Sequence, residues 1–466
     1  MDAKPAAPER RTFGRALAIL SAAGLAARVA FLLFEPATSP VADERTWIDW
    51  ARNLASSKVA FSPFRTRLVF YPPLYHYFIA VLEAAVGSLT AVKWAQVLVG
   101  SLLVPAVGRV GRAAFGPRAG LTAAAIAAFY PDLVWFSTHF WSETLFLTLL
   151  WWAFERLLAT GESRELASAP GEPGSRHMGA ALAAGLMWGL AILTRETILY
   201  LTPLAALWLL VRGGRGSRAR AALFLLTATL VVAPWTWRNW VVYRSFIPVS
   251  TAGGLNVFQG NARLTRQQVY NRYRAVQGRL EQYRYAQRMG LRAILERQPT
   301  WFLEKLRDEM PRLWEADSLA LVHIKRGAYG NVGTGWAVAA AVAVVVPYLA
   351  ALALFVVALA AFPATRPRVA LIVFLLGYTA IHMATHGFAR YRLPVMPVFF
   401  VLAGAAWTAL RERALPRVSH RSAALAAALA LVFAASLIPS LRRNLAHPAF
   451  GFEGGGDLAL EDAPPP

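Results

Sequence analysis

Apolar residues run in stretches of about 17–20 that recur along the whole chain, each enough to cross a hydrocarbon core of about 30 Å at about 1.5 Å per residue. They lie at 15–34, 91–108, 119–137, 143–158, 179–195, 197–211, 221–237, 335–361, 369–387, 393–410 and 421–440, with 143–158 and 197–211 the shortest. Most are too long and too uncharged for the core helices of a soluble protein. The pattern predicts an all-α polytopic membrane protein with about 11 transmembrane helices.

The short polar connections set a direction. Arg10, Arg11 and Arg15 precede the first stretch, and arginines fill four later turns: Arg109, Arg112 and Arg118; Arg212, Arg215, Arg218 and Arg220; Arg366 and Arg368; Arg411, Arg413, Arg417 and Arg421. Short basic loops stay in the cytoplasm, so all these ends are expected there. The assignments agree only if 71–88 does not cross and instead lies along the outer interface as an amphipathic, Tyr-rich helix. A crossing there would flip every later loop. A retained N-terminal anchor is expected rather than a cleaved signal, because no small-x-small site follows the first stretch.

The resulting plan has a cytoplasmic N-terminus (1–14), a transmembrane module (15–237) with an outer loop at 35–90, and an outer loop domain (238–334). C-terminal transmembrane helices (335–440) and a flexible tail (441–466) complete it. The loop domain reads as mainly helical, near 264–297 and 299–315, and juxtamembrane helices are expected on the outer face. Its many basic residues do not conflict with the orientation, since long loops translocate largely regardless of charge.

Composition sharpens the class. Hydrophobic residues make up 57% and charged residues 16% of the 466 residues, against about a quarter charged in soluble chains; mean hydropathy is +0.42. Cysteine is absent, which removes disulfides, thiolate catalysis and Cys-ligated metals. The formal charge of +22 fits membrane orientation and anionic lipid or phosphate partners rather than nucleic acid in so apolar a chain.

Candidate chemistry clusters at the outer membrane edges. Asp43-Glu44 follows the first stretch, with Trp47, Trp50 and Asn53 at helical spacing. Asp43 either caps that helix or accepts a proton from an attacking hydroxyl or amine. His139 and Glu143 flank a very short turn; either they form an interfacial polar pair, or Glu143 stands beside Asp43 as a second acid or as a ligand for a divalent ion. Arg195-Glu196 ends the 179–195 stretch, and Arg390-Tyr391-Arg392-Leu393-Pro394 opens another, with His386 nearby. Such arginines either snorkel to headgroups or, converging from separate helices, bind a lipid-linked phosphate. Pro234-Trp235-Thr236-Trp237-Arg238-Asn239-Trp240 leads into the loop domain. Gly253-Gly254-Leu255-Asn256-Val257-Phe258-Gln259-Gly260-Asn261 follows, with glycines suited to tight turns and amides suited to sugar hydroxyls. Neither a GxxxxGK[ST] loop nor a Rossmann fingerprint occurs, so no nucleotide-binding motif is present.

In this order these residues resemble the C-type membrane glycosyltransferases, specifically the bacterial protein O-mannosyltransferase and aminoarabinose-transferase-like superfamily (glycosyltransferase family 39-like). The features that carry the resemblance are Asp43-Glu44 with Ala51-Arg52-Asn53-Leu54, Tyr71-Pro72-Pro73-Leu74-Tyr75, Phe115-Gly116-Pro117-Arg118 and Leu193-Thr194-Arg195. The Pro234 to Asn239 run, the Gly254 to Asn261 run and Arg390 to Pro394 complete the set, over roughly 13–405. The resemblance implies an enzyme that moves a sugar from a polyprenyl-phosphate donor to a glycolipid, polysaccharide or protein acceptor, with inversion, on the outer face of the cytoplasmic membrane. It implies Asp43 as general base, with Glu44 and Glu143 as further acids, and Arg195, Arg390 and Arg392 on the donor phosphate. Tyr71, His139, Arg238, Asn256 and Asn261 are the expected substrate contacts. No cofactor is required; a divalent cation, if bound, would use Asp43 and Glu143. The second acidic position, often Asp in relatives, is Glu143 here, which leaves its metal contact open. The competing readings are a transporter or flippase of lipid-linked saccharides and a non-catalytic scaffold; the absence of inverted repeats speaks against the transporter.

Overall fold

The computed structural model describes residues 7–36, 38, 40, 43–56, 69–160, 173–211, 216–330, 332–445 and 447. Their regular elements are all helical. Among the described residues, eight helices are long and apolar enough to cross a membrane: Arg11–Phe34, Leu89–Phe115, Arg176–Thr194, Ser217–Tyr243, Thr334–Ala361, Arg366–Ala384, Ala389–Arg411 and His420–Asn444. Three shorter segments run with them: Pro117–Phe129 continued by Pro131–Phe136, Glu143–Ala159, and Glu196–Val211. A proline sets the first of these interruptions. Pro131 cannot donate to the carbonyl four residues back, and Tyr130 before it is extended (φ −64°, ψ 120°).

Side-chain contacts sort the helix ends into two groups. At one end Arg112 lies over the Phe13 ring (4.7 Å), Phe115 packs on Phe362 (5.3 Å), and Arg118 pairs with Glu412 (2.6 Å). This end carries the short arginine turns; Arg212 and Arg215 lie outside the described residues. At the other end Asp43 pairs with Arg390 (2.9 Å), Glu143 with Arg195 (2.5 Å), and Gln96 donates to the His139 carbonyl (2.7 Å). The segment in dispute stays at that second end. Leu74–Val86 spans 13 residues, about 20 Å and short of the hydrocarbon thickness. Arg52 of the preceding helix Asp43–Ser56 reaches its Glu83 (3.0 Å), and its Tyr75 hydroxyl donates to Gln96.

Arg28 sits inside the first span, fully buried, which is costly unless every donor is used. It donates to the carbonyls of Gly24 and Ala128 (2.9 Å each) and to Ser137 Oγ (3.2 Å).

The loop domain contains five helices: Ala252–Asn261, Arg266–Ala275, Arg279–Leu295, Thr300–Trp314 and Leu319–Lys325. Two expectations are corrected and one is refined. The Gly253–Asn261 run is a helix rather than a chain of turns. The helical stretch near 264–297 is two helices parted before Arg279 by Gly278, whose φ of +86° favours glycine. The span expected to stop at 237 continues to Tyr243, so Arg238 and Asn239 are helical. A small core of Leu255, Phe258, Val269, Tyr273 and Ala286 holds the domain. It is fastened to the bundle where Lys305 Nζ donates to the carbonyls of Thr385 (3.1 Å) and Gly260, and Gly387 N donates to Glu309 (2.7 Å). Burial lowers the Lys305 pKa to about 8. The last helix extends to Leu445, past the expected start of the tail at 441; 446 and 448–466 lie outside the described residues.

Candidate active site

Asp43 opens the helix Asp43–Ser56, and its Oδ2 accepts from Arg390 Nη1 at 2.9 Å. Arg390 belongs to the 3-10 segment Ala389–Val395, which leads into Met396–Arg411. Its guanidinium lies over the rings of Trp141 and Tyr391, both at 5.0 Å, and donates to the Tyr391 hydroxyl (3.2 Å). Its Nε, though buried, has no hydrogen-bond partner among the described residues.

A second acid–guanidinium pair stands nearby. Glu143 begins the helix Glu143–Ala159 and is 1% exposed. Its Oε1 accepts from Arg195 Nη1 at 2.5 Å, while Oε2 has no partner among the described residues. Arg195 is extended (φ −148°, ψ 119°) at the break between Pro173–Thr194 and Glu196–Leu201, which frees its side chain from either helix. It also lies over the Tyr391 ring (5.7 Å), so one tyrosine separates the two guanidiniums.

Both pairs line one open cleft of about 870 Å³. Of the candidates, Asp43, Glu143, Arg195, Arg390, Tyr71 and Asn256 meet there. Tyr71 is held protonated, its pKa raised by burial and then by Asp43. The walls add Gln259, of the run whose amides suit sugar hydroxyls, and residues given no role above: Glu196, Arg266, Tyr270 and Trp141. Glu196 accepts from Ser250 Oγ (2.6 Å), which ties the cleft to the loop domain. His386 also lines it; burial and then Arg390 depress its pKa to about 3, so it is neutral at physiological pH. A second open pocket of about 510 Å³ shares Asp43 and Arg390 with the first and is lined also by Leu319, Val322 and Phe388. The acid–guanidinium pair thus stands between two spaces.

Five candidates lie elsewhere. Glu44 is buried away from the cleft, accepting from Phe140 N (3.0 Å) and meeting His323 Nε2 at 3.1 Å. Beside it, His139 faces Glu35 (3.1 Å), whose carboxylate accepts from Tyr329 (2.9 Å) and Thr138 (3.0 Å). Burial raises the Glu35 pKa and lowers that of His139 to about 3. Arg238 is stacked over Trp235 (4.7 Å) and donates to Asn239 (2.9 Å). Asn261 donates to the Ala384 carbonyl (2.9 Å) and accepts from Trp301 (2.8 Å). Arg392 points away from the cleft, donating to the carbonyls of Glu315 and Asp317 (2.7 Å each) above the Tyr348 ring. No group of three His, Cys, Asp or Glu arranged to hold a metal occurs among the described residues. Both carboxylates considered for a cation are engaged by guanidiniums.

Comparison with known proteins agrees with this architecture. The profile of the family described as dolichyl-phosphate-mannose-protein mannosyltransferase matches residues 71–238. The apo crystal structure of the Archaeoglobus fulgidus oligosaccharyltransferase superposes with a TM-score of 0.50 at 16% identity, over 96% of this chain and 57% of that one. ArnT from Cupriavidus metallidurans, bound to undecaprenyl phosphate, gives 0.50 at 16% identity, over 89% of this chain and 63% of that one. The chain therefore spans about three-fifths of the length of these structures. A search of curated proteins gives no match. The matched family and both structures are C-type membrane glycosyltransferases, and the chain has the fold of that superfamily.

Proposed function

We propose that this chain is a membrane glycosyltransferase that moves a sugar from a polyprenyl-phosphate donor to an acceptor on the outer face of the cytoplasmic membrane. The observation that carries the reading is the cleft itself: two carboxylates and two guanidiniums from four separate segments meet at one end of an apolar bundle. The relatives support it. ArnT is bound to undecaprenyl phosphate, and the matched family is described by a dolichyl-phosphate-linked donor. Orientation rests on the opposite end, where the short arginine turns gather.

In this reading Asp43 takes the proton of the acceptor hydroxyl or amine as that atom attacks the anomeric carbon. The bond from that carbon to the phosphate oxygen breaks, and the lipid phosphate leaves with the electron pair. A single displacement inverts the anomeric centre. Arg390 is placed to receive the growing negative charge, with its partnerless Nε–H available to a phosphate oxygen. As it turns towards the phosphate it releases Asp43, coupling donor binding to base activation. Arg195, clamped by Glu143, adds positive potential and holds Tyr391. Glu44, His139 and Arg392 act through structure: they fasten the segments that carry Asp43, Trp141 and Arg390. Tyr71, Asn256 and Gln259 are assigned to sugar hydroxyls. The acceptor is a glycolipid, a growing glycan or a protein.

Mass spectrometry of envelope lipids and glycans from cells with and without the chain tests the reading. A sugar modification lost with the chain and restored by it is expected; identical profiles contradict it. Arg390→Ala should weaken binding of undecaprenyl phosphate by roughly tenfold or more, as for loss of a charged hydrogen bond of about 1.5–3 kcal/mol. Unchanged affinity removes Arg390 from the phosphate.

A further inference from the structure

The corner between helices Arg279–Leu295 and Thr300–Trp314 exposes a cluster of large apolar residues in a domain expected to lie in water. Leu291, Leu295, Phe302 and Leu303 are 54–66% exposed, and Leu306 is 36% exposed. Scattered apolar residues need no reason, but a contiguous patch does. Its position gives one. Lys305 donates to the carbonyl of Thr385 (3.1 Å), and Trp301 donates to Asn261, which in turn reaches Ala384. Ala384 is the last residue of the span Arg366–Ala384, whose lipid-facing side exposes Val369, Val373 and Leu376. The helix that carries Phe302 and Leu303 is thus fastened at the end of a membrane-crossing helix.

Charge completes the pattern. Arg284, Arg288 and Arg292 follow one another at i, i+4 and i+8 along the helix that carries Leu291 and Leu295, and all three are exposed; Arg284 and Arg292 also pair with the exposed Glu281 and Glu296, contacts that solvent screens. Over 238–334 there are sixteen Arg or Lys against seven Asp or Glu. Apolar tips beside a row of arginines are the chemistry of an interfacial helix on anionic lipid.

We propose that this corner is a membrane-docking surface: Leu295, Phe302 and Leu303 enter the outer interface, and Arg284, Arg288 and Arg292 lie against anionic phospholipid headgroups. It rests on the membrane-spanning fold and is independent of the chemistry assigned to the cleft. The docking would hold the loop domain, and with it the Gln259 and Arg266 wall of the cleft, at a fixed height above the bilayer.

The cysteine-free chain allows a direct test. Leu303→Cys, and Asn271→Cys on the polar helix Arg266–Ala275, are each labelled with an environment-sensitive dye. The full chain is reconstituted in nanodiscs of phosphatidylethanolamine and phosphatidylglycerol with brominated acyl chains. Emission at position 303 should be quenched and that at 271 should not; adding Arg284→Glu, Arg288→Glu and Arg292→Glu should relieve the quenching. Equal emission at the two sites overturns the proposal, as does quenching at 303 that is the same in pure phosphatidylcholine. Protection of 303 that appears only as protein concentration rises assigns the patch to a second copy instead. None of these readouts uses sugar transfer, so failure here is distinct from failure of the enzymatic reading.

Discussion

Removing Arg195 would strand Glu143, which is 1% exposed and has that guanidinium as its charged partner at 2.5 Å. An uncompensated buried charge costs on the order of 3 kcal/mol. Arg195→Ala should therefore lower the thermal midpoint of the detergent-solubilised protein, and Arg195→Ala with Glu143→Gln should recover most of it. Equal loss in both variants would show that the pair does not couple. At this scale the sequence was informative where a charge interrupts an apolar run, because such positions are expensive and few. Asp43, Glu143, Arg195 and Arg390 stand out in that way. It could not separate Asp43 from Glu44 or Arg390 from Arg392. Neighbours one or two places apart on a helical turn point in different directions, and only the packed structure shows which faces the cleft. Gln259 was marked only as one amide of the Gly253–Asn261 run, and Arg266 and Tyr270 carried no signal, since the loop domain brings them to the cleft through contacts distant in sequence.

Between elements, the closest approach joins the loop domain to the bundle. A β-carbon on Gly260 would lie 1.6 Å from the Thr385 carbonyl oxygen, and one on Gly387 would lie 2.2 Å from that of Glu309. Neither backbone neighbour can swing aside as a side chain does. Gly260→Ala should separate Ala252–Asn261 from the end of Arg366–Ala384, costing about 1–3 kcal/mol as for overpacking. It should also loosen the Gln259 wall, seen as faster hydrogen exchange over 252–261; unchanged exchange would contradict the fastening. The sequence marks Gly260 as special but attributes it to a turn. A glycine required by a neighbouring backbone and one required by its own dihedral look the same in a string of residues. Leu74–Val86 is the opposite case: thirteen residues cannot cross, and length alone resolves the ambiguity that hydropathy leaves.

For the whole molecule, a bundle whose ends differ in chemistry has one consequence that needs no substrate. Gln267 and Ser419 are both exposed, the first in the loop domain and the second beside the arginine turn after Ala389–Arg411. Introduced singly as cysteines, Gln267→Cys should react with an impermeant maleimide applied to intact cells and Ser419→Cys only after permeabilisation. The reverse pattern would put the cleft in the cytoplasm. The polytopic fold was legible because lipid demands long apolar helices from any chain that crosses it. The cleft's two-sided form was not, since it depends on how helices from both halves of the chain converge. The account turns on Asp43 as the group that takes the acceptor's proton. Its most direct test is to reconstitute Asp43→Asn in proteoliposomes with a polyprenyl-phosphate-linked sugar and measure transfer alongside binding of undecaprenyl phosphate. Transfer should vanish while binding persists; full turnover by the Asn variant would contradict the account.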